Sequence, residues 1–176
     1  MIGVRISHTA YLDEHVLHAA RGLLYAVFDD MTEHDWEHSL GGIHALAWDA
    51  GELIGHAAVV QRRLIHGGRA LRAGYVEGVA VRADHRRQGH AAALMEALER
   101  VIHDAYDLGA LGASDDAVPF YEGRGWQPWR GPLSALTPDG PAATPEEAGS
   151  VYVLPGAAPL DLDGELTCDW RDGDVW

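Results

Sequence analysis

Tyr75 to Ala91 reads Tyr-Val-Glu-Gly-Val-Ala-Val-Arg-Ala-Asp-His-Arg-Arg-Gln-Gly-His-Ala, a strand, a basic glycine loop and the start of a helix. A buried strand that feeds a helix in this way commits the chain to an α/β crossover. The loop also suits a diphosphate group. Amides at a helix N-terminus lack intrahelical partners and sit at the positive end of its dipole. Arg86 and Arg87 add charge there, and Gly89 allows the backbone to approach closely. The spacing Arg86-x-x-Gly89-x-Ala91 differs from both the dinucleotide fingerprint and the Walker loop. One carboxylate, Glu77, stands in the strand that leads to this loop.

The rest of the chain supplies the elements such a crossover needs. Ile2 to Ser7 alternates like a short strand. Leu12 to Phe28 carries a helical stripe through Val16, Ala19, Ala20, Leu23, Leu24 and Val27. Thr32 with Asp35 three residues later predicts a capped short helix ending before Gly41-Gly42. Ile43–Trp48, Leu53–Ile65 and Leu71–Val81 then read as an antiparallel meander turned at Ala50-Gly51 and Gly67-Gly68. A helix from Gly89 to Tyr106 comes next, with Leu94, Leu98, Val101 and Ala105 on one face. Leu108–Leu111 is a short strand, and Asp115–Gly123 a short helix. Trp126–Leu136 and Val151–Leu154 are predicted as the last two strands, joined by a proline-rich loop over 138–149. The expectation is a single α/β domain over 1–176, with about seven strands in a mixed sheet and about four helices.

Charge narrows the partners. Thirteen Lys and Arg stand against 27 Asp and Glu, a formal net charge of −14. That opposes a role on nucleic acid, which needs a basic footprint, and is compatible with a cationic partner. The acids are uneven. Between Thr137 and Trp176 there are nine against Arg171 alone, and a second group, Asp29, Asp30, Glu33, Asp35 and Glu37, surrounds the short second helix. Trp170, Val175 and Trp176 predict an ordered tail that folds back through its aromatic residues. The single Cys168 precludes an intramolecular disulfide and favours a reducing compartment. No apolar run reaches membrane-spanning length, so the expected location is cytoplasmic, with no membrane partner.

Glu77 is an unusual side chain among Tyr75, Val76 and Val79, and Gly78 and Ala80 flank it where a ligand backbone could pass. This suggests a base or a substrate contact, set against an outward-facing surface carboxylate. Val79-Ala80-Val81 alone would be core packing. His34 and His38 have the i, i+4 spacing of zinc ligands, but Asp35 replaces the expected glutamate and no third ligand is evident, so no metal is expected.

Two further matches narrow the fold and the chemistry. The loop resembles the Q/R-x-x-G-x-G/A loop of the GNAT N-acetyltransferases. Ala117, Phe120, Tyr121, Gly125 and Trp126 fall in register with that family's A-x-x-F/L-Y-x-x-x-G-F/W segment, and the element order is also that of the GNAT fold. The resemblance implies a sheet splayed between its fourth and fifth strands. Val79, Ala80 and Val81 would pair with the pantetheine arm of acetyl-CoA, and Arg86, Arg87, Gln88, Gly89, His90 and Ala91 would hold its pyrophosphate. It further implies that the Tyr121 hydroxyl protonates the departing thiolate.

Longer stretches at 35–42, 59–65, 75–84 and 168–176 look like the aminoglycoside 2′-N-acetyltransferases of actinobacteria. That resemblance implies a cleft for a cationic aminoglycoside, contacted by Asp30, Asp35, Glu77, Gly78, Gly112, Glu147, Asp174 and Trp176 with its terminal carboxylate. The acidic segment 156–176 would fold back to this cleft. Glu77 would act on the 2′-amine through water. Gly112 stands where the family can place a serine, and Glu147 where an aspartate can occur, so drug preference is expected to differ. A homodimer is implied as well. Another polyamine, amino-sugar or hydroxyl acceptor, or a silent acyl-CoA sensor, are the competing expectations.

Overall fold

The computed structural model describes residues 3–176, so Ile2, at the head of the predicted first strand, lies outside the described residues. The chain forms two compact units. One holds the residues up to Val60 with Val76–Val101, the other Gln61–Tyr75 with Ile102–Trp176.

In the first unit β1 (Gly3–His8) pairs antiparallel with β2 (Ile43–Asp49), and β2 with the leading part of β3 (Glu52–His66). Helix α1 (Glu14–Val27) starts on Asp13, whose side chain accepts the Val16 N–H. Helix α2 (Glu33–His38) has the predicted capping box between Thr32 and Asp35. Ala20, Leu23, Leu24, Trp36 and Ala80 form a buried cluster that Leu17, Val27 and Met31 extend. The final residues of β4 (Arg69–Val81) and most of α3 (His90–Ala105) complete this unit. The buried stripe of α3 is Leu94, Met95, Leu98 and Ile102, whereas Ala105 is exposed. Steps of four residues carry the stripe from 94 through 98 to 102, which leaves the predicted Val101 and Ala105 off its centre.

The second unit contains the β3–β4 hairpin, turned at Gly67-Gly68 with both φ angles positive. In it Ala73–Tyr75 of β4 lie parallel to Leu108–Ala110 of β5 (Leu108–Gly112). β9 (Val151–Pro155) runs antiparallel to β5 and to β6 (Gln127–Pro128). On the other side β10 (Leu166–Cys168) lies between β3 and β7 (Leu133–Thr137), and β7 pairs with β8 (Gly140–Ala143). Helix α4 (Val118–Glu122) follows a 3₁₀ turn at Asp115–Ala117.

Among the described residues ten strands therefore stand where the sequence predicts about seven. One predicted strand, 126–136, is broken into β6 and β7. A Cβ at Gly131 would lie 1.9 Å from the Gly164 carbonyl oxygen, so this backbone runs directly against the 161–164 turn. There the Arg130 and Gly131 amides both donate to Leu162 O at 2.9 Å, and Pro132 has no amide to continue a ladder. The other additions, β8 and β10, are four and three residues long, too short for a periodic signal. Of the two tryptophans expected to anchor the tail, Trp176 is buried and Trp170 is not. Trp176 donates through Nε1 to Thr144 Oγ1 at 2.8 Å, while Trp170 is 45% exposed. No helix among the described residues is long and apolar enough to cross a membrane.

Candidate functional site

In the first unit the strand end 76–81 is buried apart from Glu77, Gly78 and Val79, which are half-buried. Gly78 has φ +56°, a left-handed residue inside a strand, which breaks the regular alternation of side chains at this point. The strand runs on into the basic loop. Arg82 bonds Glu52 at 2.7 Å and Asp84 at 2.8 Å, and His85 reaches Asp84 and Asp49 at 2.8 and 3.2 Å. Asp84 and then Asp49 raise the His85 pKa, and Arg82 and then His85 lower that of Asp84 to about 2. The loop's acids are thus engaged by neighbouring cations. Arg86, Arg87, Gln88 and Gly89 precede α3 and are exposed, with left-handed φ at Arg87 (+59°) and Gly89 (+85°), and Gln88 Nε2 donates to Asp84 O at 3.2 Å. Successive amides in such a turn make an anion-binding concavity at a helix start, the geometry a diphosphate needs. Val81 differs from the expectation in one respect. Its carbonyl oxygen already accepts Arg86 Nε at 3.3 Å.

The acids around α2 have defined partners. Asp35 Oδ2 accepts both the Thr32 amide (2.8 Å) and the Thr32 hydroxyl (2.7 Å), so one of its oxygens serves the helix cap. Glu33 pairs with Arg21 and Tyr25. Asp30 lies exposed beyond the end of α1.

Behind Gly78 lies a pair of histidines to which sequence spacing assigns no role. His44 Nδ1 is 2.9 Å from His56 Nε2, His56 Nδ1 is 2.8 Å from Gly78 O, and His44 Nε2 is 2.7 Å from Thr9 Oγ1. Both rings are fully buried, with the Trp36 ring 6.3 Å from His56. Burial, followed by His56 and His8, lowers the His44 pKa to about 3. Burial lowers that of His56 to about 4, against a raising effect of the Gly78 carbonyl. Both lie below the ordinary 6.5, so the unfolded chain binds more protons than the folded one from about pH 6.5 down to about 3. The stability due to neutral burial is present above 6.5 and is lost as pH falls through that window. We expect the melting temperature of the wild type to fall more steeply there than that of a His44→Gln, His56→Asn double variant. Parallel curves would exclude this assignment.

In the second unit Tyr121 on α4 is buried, with its ring edge-on to Phe120 and Trp126 at centroid distances of 5.2 and 6.1 Å. Burial pushes its pKa up to about 12, which keeps the phenol protonated throughout the neutral range. Gly112, Asp174 and Trp176 meet in one place. A Cβ at Gly112 would lie 3.9 Å from Trp176 C and O and from Tyr75 Oη, ordinary contact distances that a side chain would tolerate. Asp174 Oδ1 accepts the Trp176 amide at 3.1 Å, and Arg171 donates to the main-chain oxygens of Asp174 and Trp176. Glu147 stands three residues beyond Thr144, which holds the Trp176 indole, and its Oε2 accepts Ser150 Oγ at 2.9 Å. Arg171 and Arg62 both lie over the Tyr75 ring, at 5.3 and 4.7 Å.

Several tail acids counted in the sequence as an acidic surface have structural partners instead. Asp163 forms an ion pair with Arg130 at 2.7 Å, and Asp169 with buried Arg62 at 2.8 Å. No sequence signal points to the second pair, because its members are 107 positions apart.

A family model described as an acetyltransferase (GNAT) domain matches residues 9–129. An aminoglycoside 2′-N-acetyltransferase from Mycolicibacterium fortuitum is 52% identical over 177 residues, covering 98% of this chain and 91% of that protein. Among solved structures, the GNAT family N-acetyltransferase YhbS from Escherichia coli, in complex with CoA, aligns with a TM-score of 0.63 at 17% identity. The match covers 97% of this chain and 90% of that one. Escherichia coli ElaA aligns with a TM-score of 0.61 at 23% identity, over 88% of this chain and 99% of that chain. These two likenesses concern the fold.

Proposed function

This chain belongs to the GNAT acetyltransferase family, and on that premise we propose that it transfers the acetyl group of acetyl-CoA to the 2′-amine of aminoglycosides. The observation that carries the proposal is the 52% identity with an aminoglycoside 2′-N-acetyltransferase along 98% of the chain.

The chemistry asks for three things. A diphosphate must be held, and Arg86 to Ala91 supply exposed guanidinium groups and the amides of an α3 start with the required left-handed turn. Val79 and Ala80 are assigned to the pantetheine amides, while Val81 is partly committed to Arg86. The amine must also lose a proton, since an ammonium has no lone pair to attack with. Glu77, half-buried beside half-buried Gly78 and Val79, is assigned as the acceptor of that proton through water. Attack then forms the C–N bond. As the tetrahedral intermediate collapses the C–S bond breaks, and the Tyr121 phenol donates to the departing thiolate. Asp30, Asp35, Glu147, Asp174 and Trp176 are assigned to the cationic acceptor, each carboxylate contact a charge-assisted hydrogen bond. The proposal includes a homodimer working in the cytoplasm, where Cys168, buried beside Arg62, stays a thiol.

The test is acetyl-CoA-dependent acetylation of tobramycin or gentamicin compared with amikacin, which has no 2′-amine. Turnover of the first two with none of the third is expected. Equal turnover of both kinds would remove the 2′ assignment, and turnover of neither would remove the aminoglycoside as acceptor.

A further inference from the structure

We infer that Thr9, His44 and His56 form a directional hydrogen-bond relay that fixes the Gly78 carbonyl and thereby positions Glu77. The kinetic role of this relay rests on the reading of Glu77 under Proposed function, whereas the direction of the relay does not.

That direction is dictated by the chemistry of its end. The Gly78 carbonyl oxygen can only accept, so His56 Nδ1, 2.8 Å away, carries a proton. A neutral His56 then presents a lone pair at Nε2, and His44 Nδ1, 2.9 Å away, must donate to it. His44 Nε2 is left as an acceptor, and Thr9 Oγ1–H at 2.7 Å is its donor. The Thr9 oxygen in turn accepts the Gly41 amide at 2.9 Å. The Thr9 hydroxyl also lies 3.3 Å from Gly42 O, a longer contact than the 2.7 Å to His44, so the relay runs from Gly41 to Gly78 and both rings take the Nδ1–H tautomer. His8 provides a contrast in the same unit. It accepts the Ala10 amide at Nδ1 and faces Gly41 O with Nε2, so it takes the opposite tautomer.

What the relay holds is an unusual backbone conformation. Gly78 is left-handed, and a Cβ there would meet Leu24 Cδ1 and Ser39 Oγ at 3.1 Å and His56 Cε1 at 3.4 Å. The chain is therefore pressed against α1, the end of α2 and the His56 ring at the residue after Glu77. The carbonyl belongs to the 78–79 peptide, whose rotation would change ψ of Gly78 and shift the strand directly after Glu77. Two neutral buried rings joined in one sense resist that rotation, because reversing either proton would set two lone pairs or two protons face to face. His44, His56 and Thr9 are positioning residues, since nothing places them against substrate.

Two measurements test this. The first reads the imidazole nitrogens by NMR in the isolated protein at neutral pH. Nδ1–H at His44 and His56 with Nε2–H at His8 is expected, and an Nε2–H or imidazolium state at either buried ring would overturn the relay. The second compares His56→Leu, which removes the donor, with His56→Asn, whose amide nitrogen takes about the place of Nδ1. For His56→Leu we expect kcat to fall by roughly ten-fold or more while the KM for acetyl-CoA stays within about two-fold, and His56→Asn to recover most of the loss. Equal losses in both folded variants, or none in His56→Leu, would overturn the positioning role. Should His56→Leu fail to fold, Thr9→Val decides. His44 should keep Nδ1–H, because the direction is set from the Gly78 carbonyl through His56, and a switch to Nε2–H would overturn the relay. Wild-type turnover on tobramycin is measured first, so a failed drug assignment is seen there and does not touch the tautomer result.

Discussion

Tyr121→Phe is expected to lower kcat by about a hundred-fold while leaving the KM for acetyl-CoA within about two-fold, because it removes one positioned proton donor and little volume. The phenol is suited to the donor's part. It is buried, its pKa is pushed up to about 12, and it stays protonated wherever the thiolate needs a proton. Its ring position is set by Phe120 and Trp126, contacts that phenylalanine would keep, so coenzyme binding and melting temperature should hardly move. The effect belongs to the chemical step and is read in single-turnover acetyl transfer. A wild-type rate in the folded variant would take the hydroxyl out of the mechanism. A parallel rise in the KM for acetyl-CoA would make it a binding group instead.

The second large effect concerns stability. Asp169→Ala is expected to cost about 2–3 kcal/mol, less than a fully buried pair because the Asp169 side chain is 38% exposed. That corresponds to a melting temperature lower by roughly 5–10 °C for a chain of this size. Asp169 accepts Arg62 Nε at 2.8 Å through one oxygen and the Arg63 amide at 3.1 Å through the other. Its removal leaves the Arg62 guanidinium, 4% exposed, against the Tyr75 ring with no carboxylate partner, though it still donates to the Asp169 carbonyl. The reverse change, Arg62→Met, deletes the buried charge and leaves a carboxylate that water can reach. It should therefore cost less than Asp169→Ala. Thermal melts of the two variants check the order, and the opposite order would mean that Arg62 matters for its packing on Tyr75 more than for its charge.

How much of this was legible in the sequence depended on how far apart the interacting residues are. The α2 cap needed only Thr32 and Asp35, three residues apart, and the hairpin turn only Gly67-Gly68. The basic loop is a contiguous run whose backbone geometry is set by its own glycine. Identical logic singled out Glu77 and Tyr121 as candidates, each inside a local motif. The break between β6 and β7 was invisible because it depends on Gly164, 33 residues beyond Gly131, as an immediate backbone neighbour. Arg62 and Asp169 each read as one more surface charge until the strands brought them together. His44 and His56 sat among strand residues with nothing at ligand spacing, and their meaning depends on Gly78, 22 residues on from His56. Composition also overstated the tail's acidity toward a substrate, since Asp163 and Asp169 are held by Arg130 and Arg62.

The chain crosses between its two units at three places, after Val60, after Tyr75 and after Val101. During synthesis, then, neither unit can finish as an uninterrupted stretch emerges. The first waits for Val76–Val101, by which time the β3–β4 hairpin of the second has already been made. The second in turn waits for β10, which pairs with β3 about 100 residues after that strand appeared. A single cut of the gene after Val101 would keep the first unit whole but divide the second, and a cut after Val60 the reverse, so no single cut yields both whole and halves expressed separately should complement each other, if at all, only when mixed while unfolded.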